Sequence, residues 1–123
     1  MSDPTTKILT LVFFLVLVSQ GYSECSLSDL HVTQHPTGIE INQNPEFLVI
    51  ISNNCPCAQK NVKLECLNFQ TVEPIDPSIL SVSGDVCIVK GGQPIASGDV
   101  SVTFKYAWPH TFPLNPISSD SVC

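Results

Sequence analysis

The chain contains no arginine, and cations of any kind are scarce. Once Lys7 and Asp3 in the leader are set aside, four of the five basic residues remain against ten of the eleven acidic ones, a formal net charge of −6. Phosphate groups need clustered cations, so we expect neither nucleic acid nor an anionic membrane surface as a partner. The acidity is explained by solubility, and steering toward a basic partner is the alternative interpretation.

Sequence patterns typical of catalysis are missing as well. There is no Gly-x-Ser-x-Gly segment, no phosphate-binding glycine loop and no Cys-x-x-Cys pair. Glu65 and Glu73 are the nearest approach to a pair of catalytic acids, but Glu65 falls on the solvent face of a predicted strand. His31, His35 and His110 show no metal-ligand spacing. We therefore expect no enzyme, no metal and no other cofactor.

The chain has one long apolar run, and it lies at the N-terminus. Residues 8–18 are largely apolar, and small residues follow at Ser19, Gly21 and Ser23. Eleven helical residues rise about 16 Å, whereas a bilayer core is about 30 Å thick. We interpret residues 1–23 as a signal peptide cleaved after Ser23, with Gly21 as the other possible cleavage site. A buried strand or a signal anchor is the alternative. The mature chain, residues 24–123, is expected to be secreted into the extracellular space (the apoplast), without membrane insertion.

The six cysteines all fall in this mature chain. An even number of cysteines in a short exported protein predicts a disulfide framework, here three bridges. Cys55 and Cys57 are separated by Pro56 alone, so we expect each to pair with a different strand. The pairing is not fixed by the sequence. The predicted disulfide cysteines are Cys25, Cys55, Cys57, Cys66, Cys87 and Cys123.

The mature chain reads as one all-β domain. In "VSVTFKY" (residues 100–106) apolar and polar residues alternate, and "NVKLEC" (61–66) directs Val62, Leu64 and Cys66 to one face. The continuous run "EFLVIIS" (46–52) predicts a central strand covered on both faces. "LHVTQ", "GIEIN" and "VCIVK" are further short strands, and Pro36-Thr37-Gly38 predicts a turn between the first two. "DPSIL" allows one helical turn, and the ten prolines disfavour long helices. About seven strands at this spacing predict a small antiparallel β-sandwich cross-linked by three disulfides.

Two segments combine apolar side chains with proline or acid, which suits a recognition surface. "FQTVEPIDPSIL" (69–80) is one, and "YAWPHTFPLNP" (106–116), which holds the single tryptophan, is the other. A tryptophan in a rigid loop can anchor an interface, and it can equally close one end of a sandwich. The candidate partner-binding residues are Val72, Glu73, Ile75, Asp76, Ile79 and Trp108.

Several stretches together resemble the plant tapetum determinant family. They are "CSLSDLHVTQHPTG", "CPCAQKNVKLECLNFQTVEPIDPSIL", "GDVCIVKGGQPIASGDVSVTFKYAW" and "PISSDSVC", and they cover residues 25–123 with all six cysteines. The resemblance implies a small secreted cysteine-rich protein. It also implies a peptide-hormone-like ligand of a leucine-rich-repeat receptor kinase ectodomain, with a role in plant development such as anther cell fate. Unlike the better-known members, this chain has its first cysteine almost directly after the predicted cleavage site and has no adjacent basic pair.

A second resemblance supports an alternative function. "FLVIISNN", "NVKLEC" and "IASGDVSVTFKYAW" are similar to carbohydrate-binding modules at the C-termini of plant cellulases. That resemblance implies binding to cell-wall glycans. Cellulose binding needs a row of exposed aromatic rings, and this chain has few candidates beyond Tyr106 and Trp108. Glycan binding is therefore the second hypothesis.

Overall fold

A computed structural model describes residues 25–123, apart from the side chains of residues 99–101. The predicted signal peptide therefore lies outside the described residues. Seven strands and two short 3₁₀ helices make up the fold: a 3₁₀ helix at Leu27–Asp29, β1 Leu30–Ile41, β2 Asn44–Asn53, β3 Ala58–Glu65, β4 Leu80–Ser83, β5 Val86–Val89, a 3₁₀ helix at Lys90–Gly92, β6 Gly98–Ala107 and β7 Asn115–Val122. No helix within residues 25–123 has the length and apolar character needed to cross a bilayer.

The strands form two antiparallel sheets. The three-stranded sheet has the order β1-β2-β6, and the four-stranded sheet has the order β4-β5-β3-β7. Three disulfides cross-link this framework: Cys25–Cys55, Cys57–Cys123 and Cys66–Cys87. The predicted all-β class, the antiparallel sandwich and the three bridges are confirmed.

The core lies between the sheets, where strand alternation places the apolar side chains. Val62, Leu64 and Cys66 are fully buried, as the alternation in β3 predicts. In β6, Phe104 and Tyr106 are buried on the inner face. Tyr106 is satisfied there, because its hydroxyl donates to Gln34 Oε1 and accepts from the backbone N–H of Phe112. Burial raises the pKa of Tyr106.

Strand β2 corrects one prediction. It is central in its sheet, and Val49 and Ile51 on its inner face are wholly inaccessible. Leu48 and Ile50 on the outer face are half-buried. The prediction of a strand covered on both faces is therefore wrong for the outer face, because no second layer packs along the whole of it.

Strand β1 corrects another prediction. The sequence suggested two short strands divided by a turn at residues 36–38, whereas the structure has one strand with a bulge between Pro36 and Glu40. Gly38 adopts a φ of 83°, which glycine tolerates without steric cost. Thr37 donates to Glu46 Oε1 on the neighbouring strand at 2.8 Å. These two residues let the chain pass the irregularity without reversing direction.

Candidate partner-binding surface

Residues 69–79, here named the crossing segment, connect the β3 side of the molecule to β4. Two hydrogen bonds hold the start of the segment against the end of β6, and a third lies within the segment. The Val72 N–H donates to the Ala107 carbonyl at 3.0 Å, the Ala107 N–H donates to Thr71 Oγ1 at 3.0 Å, and Thr71 Oγ1 donates to the Glu73 carbonyl at 2.8 Å. The segment has no regular secondary structure, yet its backbone is fixed at this end.

The middle of the segment is anchored by apolar side chains. Ile75 and Ile79 are half-buried and pack against the core. The predicted helical turn at "DPSIL" is a single turn, in which the N–H groups of Ile79 and Leu80 both donate to the Asp76 carbonyl. β4 begins at Leu80, directly after this turn.

The six predicted partner-binding residues differ in exposure. Asp76 is exposed, and Val72 and Glu73 are half-buried. Ile75, Ile79 and Trp108 are half-buried against the core. Trp108 follows Ala107, so it lies beside the start of the crossing segment, and its N–H donates to the Pro45 carbonyl. The structure therefore brings the six residues into one region.

Asp76 keeps its negative charge. Its Oδ1 accepts hydrogen bonds from the Ser78 N–H at 2.9 Å and from Ser78 Oγ at 2.8 Å. Bonds to the ionised form favour it, and they lower the pKa of Asp76. The exposed corner of the crossing segment is therefore anionic.

Glu73 has a partner that the sequence did not reveal. Its carboxyl group hydrogen-bonds that of Glu46, a β2 residue that is 5 % exposed and also bonded to Thr37. Burial, followed by the bond to Glu46 and that residue's charge, raises the pKa of Glu73 to about 7. The hydrogen bonds from Glu73 and Thr37 lower the pKa of Glu46. The two groups thus share one proton near neutral pH, with Lys105 as the neighbouring cation.

Two shallow grooves flank the crossing segment. A groove of about 300 Å³ lies on the β6 side and is lined by residues that include Leu48, Glu73 and Lys105. A groove of about 420 Å³ lies on the β4 side and includes Phe69 and Val82. The groove on the β4 side is lined by more apolar side chains, whereas the groove on the β6 side carries charges of both signs.

A third cleft, of about 460 Å³, lies at the outer face of the four-stranded sheet and is polar. Asn61, Lys63 and Asp120 line it together with the Gly91–Gly92 turn. Asn61 Nδ2 donates to Asp120 Oδ2 at 2.8 Å, and a Cβ on Gly92 would lie 3.0 Å from Asn61 Oδ1. No sequence motif predicted this cleft. Its only local signals were the paired glycines and an asparagine that takes positive φ within a strand.

Three cysteine sulfurs meet at one end of the molecule. The Sγ atoms of Cys25, Cys55 and Cys57 lie within 4.8 Å of one another. All three belong to disulfides, and a metal ligand must be a thiolate. As oxidised here, this cluster is a covalent junction rather than a ligand set.

Asn53 organises the same junction from a fully buried position. Its Nδ2 donates to the carbonyls of Cys57 and Ile95, at 2.9 and 3.0 Å. Its Oδ1 accepts from the Cys55 N–H and from Gln59 Nε2, both at 3.0 Å. One side chain therefore fixes the loop that carries both close cysteines.

Comparison with known proteins gives a family match across the described residues. The family model described as "Tapetum determinant 1, C-terminal" matches residues 26–123. A curated relative, an uncharacterized protein of Arabidopsis thaliana, is 28 % identical over 127 residues, covering 100 % of this chain and 99 % of its own length. No solved structure matches the chain.

Proposed function

We propose, from the premise that this chain belongs to the Tapetum determinant 1 family, that it is a secreted signalling ligand for the ectodomain of a leucine-rich-repeat receptor kinase. Family membership is consistent with a secreted signalling role, and the three disulfides fit an oxidising extracellular compartment. The receptor class rests on the family resemblance. The role would be in plant cell fate or reproductive development.

The observation that carries the proposal is the anchored, anionic crossing segment. Its backbone is held at β6 and its two isoleucines pack on the core, while Asp76 remains exposed and ionised. A segment that is already ordered loses little conformational entropy when it binds. The concave face of a leucine-rich-repeat solenoid is an extended surface that suits a compact partner. Basic groups on that face would attract Asp76 and raise the association rate more than the final affinity.

Binding of the wild-type protein and the Asp76→Asn variant to a panel of immobilised plant leucine-rich-repeat receptor-kinase ectodomains tests the proposal. Asparagine retains an oxygen that can accept the Ser78 bonds, so the turn survives while the charge is lost. We expect at least one ectodomain to bind the wild type. For that pair, Asp76→Asn should slow association about threefold to tenfold, with a difference that shrinks at high salt.

Glu65→Gln is the matched control, because Glu65 is exposed on the outer face of β3, and it should bind as the wild type does. Both variants should melt close to the wild-type temperature. If no ectodomain in the panel binds, the receptor-ligand function is wrong. Equal rates for Asp76→Asn and wild type would remove the crossing segment from the contact.

Glycan binding is the second candidate, and the polar cleft is the observation that favours it. Asn61, Lys63 and Asp120 offer donors and acceptors suited to sugar hydroxyls. By contrast, Phe47, Phe69, Tyr106 and Phe112 contact one another in or beside the core, so they do not form an exposed stacking row. Pull-down on insoluble cell-wall glycans, with Asp120→Ala as the variant, separates the two functions. Retention on glycan that Asp120→Ala abolishes would support this second candidate.

A further inference from the structure

Strand β4 has an open edge. It is the outer strand of its sheet and pairs with β5 alone, with Ser83 opposite Val86 across a two-residue turn. The Lys90 N–H donates to the Ile79 carbonyl at 2.8 Å, so Ile79 and Lys90, which adjoin β4 and β5, form a hydrogen-bonded pair. Because hydrogen-bonded and non-hydrogen-bonded pairs alternate in an antiparallel ladder, Val82 belongs to a non-hydrogen-bonded pair.

The backbone groups of Val82 therefore point away from β5. Among the described residues, neither the N–H nor the carbonyl of Val82 has a hydrogen-bond partner. The Leu80 carbonyl points the same way, while the Leu80 N–H is already bonded to Asp76. An extended chain laid along β4 would meet one donor and two acceptors at the spacing of a strand.

The other three outer strands are protected by features that β4 lacks. β1 contains Pro36 and a bulge, and β7 contains Pro116 and leads into a disulfide. The end of β6 is occupied by the crossing segment, through the bonds between Ala107 and residues 71 and 72. Proteins use such devices to prevent strand addition. The sequence of β4, "LSVS", has no proline, no charge and no bulge.

An apolar groove adjoins this open edge. Val82 faces the same side as the buried Leu80, yet 50 % of it is exposed. The crossing segment therefore covers the inner face of β4 only in part. The remaining gap is the groove of about 420 Å³ whose walls include Phe69, Ile75 and Pro77. The groove can accept a side chain of a partner strand added beside β4, when that side chain points to the inner face of the four-stranded sheet.

Charge selects the kind of partner. Asp76 lies in the turn between Ile75 and Pro77, and Asp85 lies in the turn that ends β4, so acidic residues flank both ends of the edge. A second copy of this chain would bring another net charge of −6 and no arginine. Like charges oppose such pairing, whereas a segment that carries lysine or arginine beside apolar residues is attracted.

We propose that β4 and its groove form a docking surface for an extended partner segment of apolar and basic residues. The partner segment pairs with Val82 and Leu80 as an added antiparallel or parallel strand. One of its apolar side chains lies between β4 and the crossing segment. The partner is another protein, and its identification as the receptor rests on the proposed function. Backbone pairing supplies the alignment, and the groove and the flanking acids supply the selectivity.

The first test uses a short synthetic peptide of alternating valine and lysine, with a valine and glutamate peptide as its counterpart. Amide hydrogen exchange and NMR shifts of the full mature protein report the contact. We expect the lysine peptide to slow exchange of the Val82 amide and to shift residues of β4 and the groove, while the glutamate peptide does neither. Unchanged Val82 exchange at saturating lysine peptide overturns the proposal.

The second test uses two exposed valines on the two outer strands of one sheet. Val82→Lys adds a lysine of the kind that natural edge strands use to prevent strand addition. Val122→Lys is the matched control, because Val122 lies on β7 and its side chain is 42 % exposed. We expect Val82→Lys to weaken binding of the lysine peptide about tenfold and Val122→Lys to leave it unchanged. Val82→Pro, which removes the outward N–H without removing a bond to β5, should do the same. Equal effects at both valines overturn the proposal.

The results also separate this surface from the receptor function. If Asp76→Asn slows ectodomain binding but Val82→Lys does not, the ligand function stands and the β4 surface is wrong. If the peptide docks at β4 and no ectodomain binds, the surface stands and the receptor is wrong. A dimer in light scattering that Val82→Lys converts to monomer would identify a second copy as the occupant and overturn the proposal.

Discussion

At the scale of single residues, the Glu46–Glu73 pair is the feature with the clearest consequence. Two carboxyl groups within hydrogen-bond distance hold one proton between them, which raises one pKa and lowers the other. Thr37 from β1 donates to Glu46, Lys105 from β6 is the nearby cation, and Glu40 lies in β1 opposite Pro45. The pair joins the crossing segment to β2, so its protonation affects how firmly that segment is held.

We predict that the melting temperature falls as pH rises from 4.5 toward 7 and beyond. The pKa of Glu73 is raised from 4.5 to about 7, so in this window the folded state holds a proton that the unfolded state has lost. That contribution is complete below pH 4.5 and disappears as the pH passes the folded pKa. Glu46, with its lowered pKa, acts in the opposite sense, and its contribution is lost only as the pH falls below 4.5.

Thermal melts of Glu73→Gln across this range check the assignment. The variant should show a flatter dependence on pH, because its amide donates to Glu46 at every pH. Glu40→Gln, at an exposed position, should keep the wild-type slope. A wild-type slope in Glu73→Gln would show that other groups cause the dependence.

At the scale of elements, the end of β2 determines how the close cysteines are used. Cys55 and Cys57 flank a single proline, and the loop they occupy returns immediately into β3. Asn53, the last residue of β2, bonds to both sides of this loop. Each cysteine therefore pairs with a different end of the described residues, Cys55 with Cys25 and Cys57 with Cys123.

We predict that Asn53→Ala lowers the free energy of unfolding by about 3 kcal/mol or more, because it leaves buried backbone and Gln59 groups without partners. Denaturant unfolding with disulfides intact measures this. Asn54→Ala is the adjacent control: Asn54 is exposed and bonds through its backbone, so its change should stay within about 0.5 kcal/mol. Equal losses at the two positions would contradict the role given to the Asn53 side chain.

At the scale of the whole molecule, the bridges differ in burial, and Cys66–Cys87 and Cys57–Cys123 are the two extremes. Cys66 and Cys87 are fully buried and join β3 to β5 near the core. Cys123 is exposed, and its bond to half-buried Cys57 closes a separation of 66 residues. In the chain-entropy account, closing a loop of that length contributes about 4 kcal/mol, a large part of a total stability of about 5–15 kcal/mol.

We predict that a mild thiol reductant opens Cys57–Cys123 first under native conditions. Exchange needs an attacking thiolate to reach a sulfur, and only this bridge has an exposed cysteine. The thiolate released at Cys57 lies within 4.8 Å of the Cys25 and Cys55 sulfurs, so alkylation should spread to those residues before it reaches Cys66 or Cys87. Timed alkylation with peptide mass mapping measures the order. Early labelling of Cys66 or Cys87 would contradict it.

The local patterns were strong where one face of a strand is buried. Alternation in "NVKLEC" and in residues 102–106 identified β3 and β6 and their inward side chains, since burial imposes a period of two. The even cysteine count and the expectation of export were sufficient to predict three disulfides. β4 and β7 were missed, because short or polar outer strands bury too little to show a period. The predicted turn at residues 36–38 was a bulge, since proline and glycine signal both.

What the sequence determined by itself was therefore the chemistry that depends on composition and on neighbours along the chain: the β class, the cross-linked framework, the acidic character and the family. Only the tertiary structure decided which distant residues meet. It paired Glu73 with Glu46, and it buried Asn53 against the loop that carries Cys55 and Cys57. It also left β4 with an open edge beside a groove. Those outcomes depend on how two sheets of unequal width pack and on the path of one irregular segment between them. No local pattern encodes the contact of Glu46 with Glu73 or that of Asn53 with Ile95, because these partners lie tens of residues apart and only the fold brings them together.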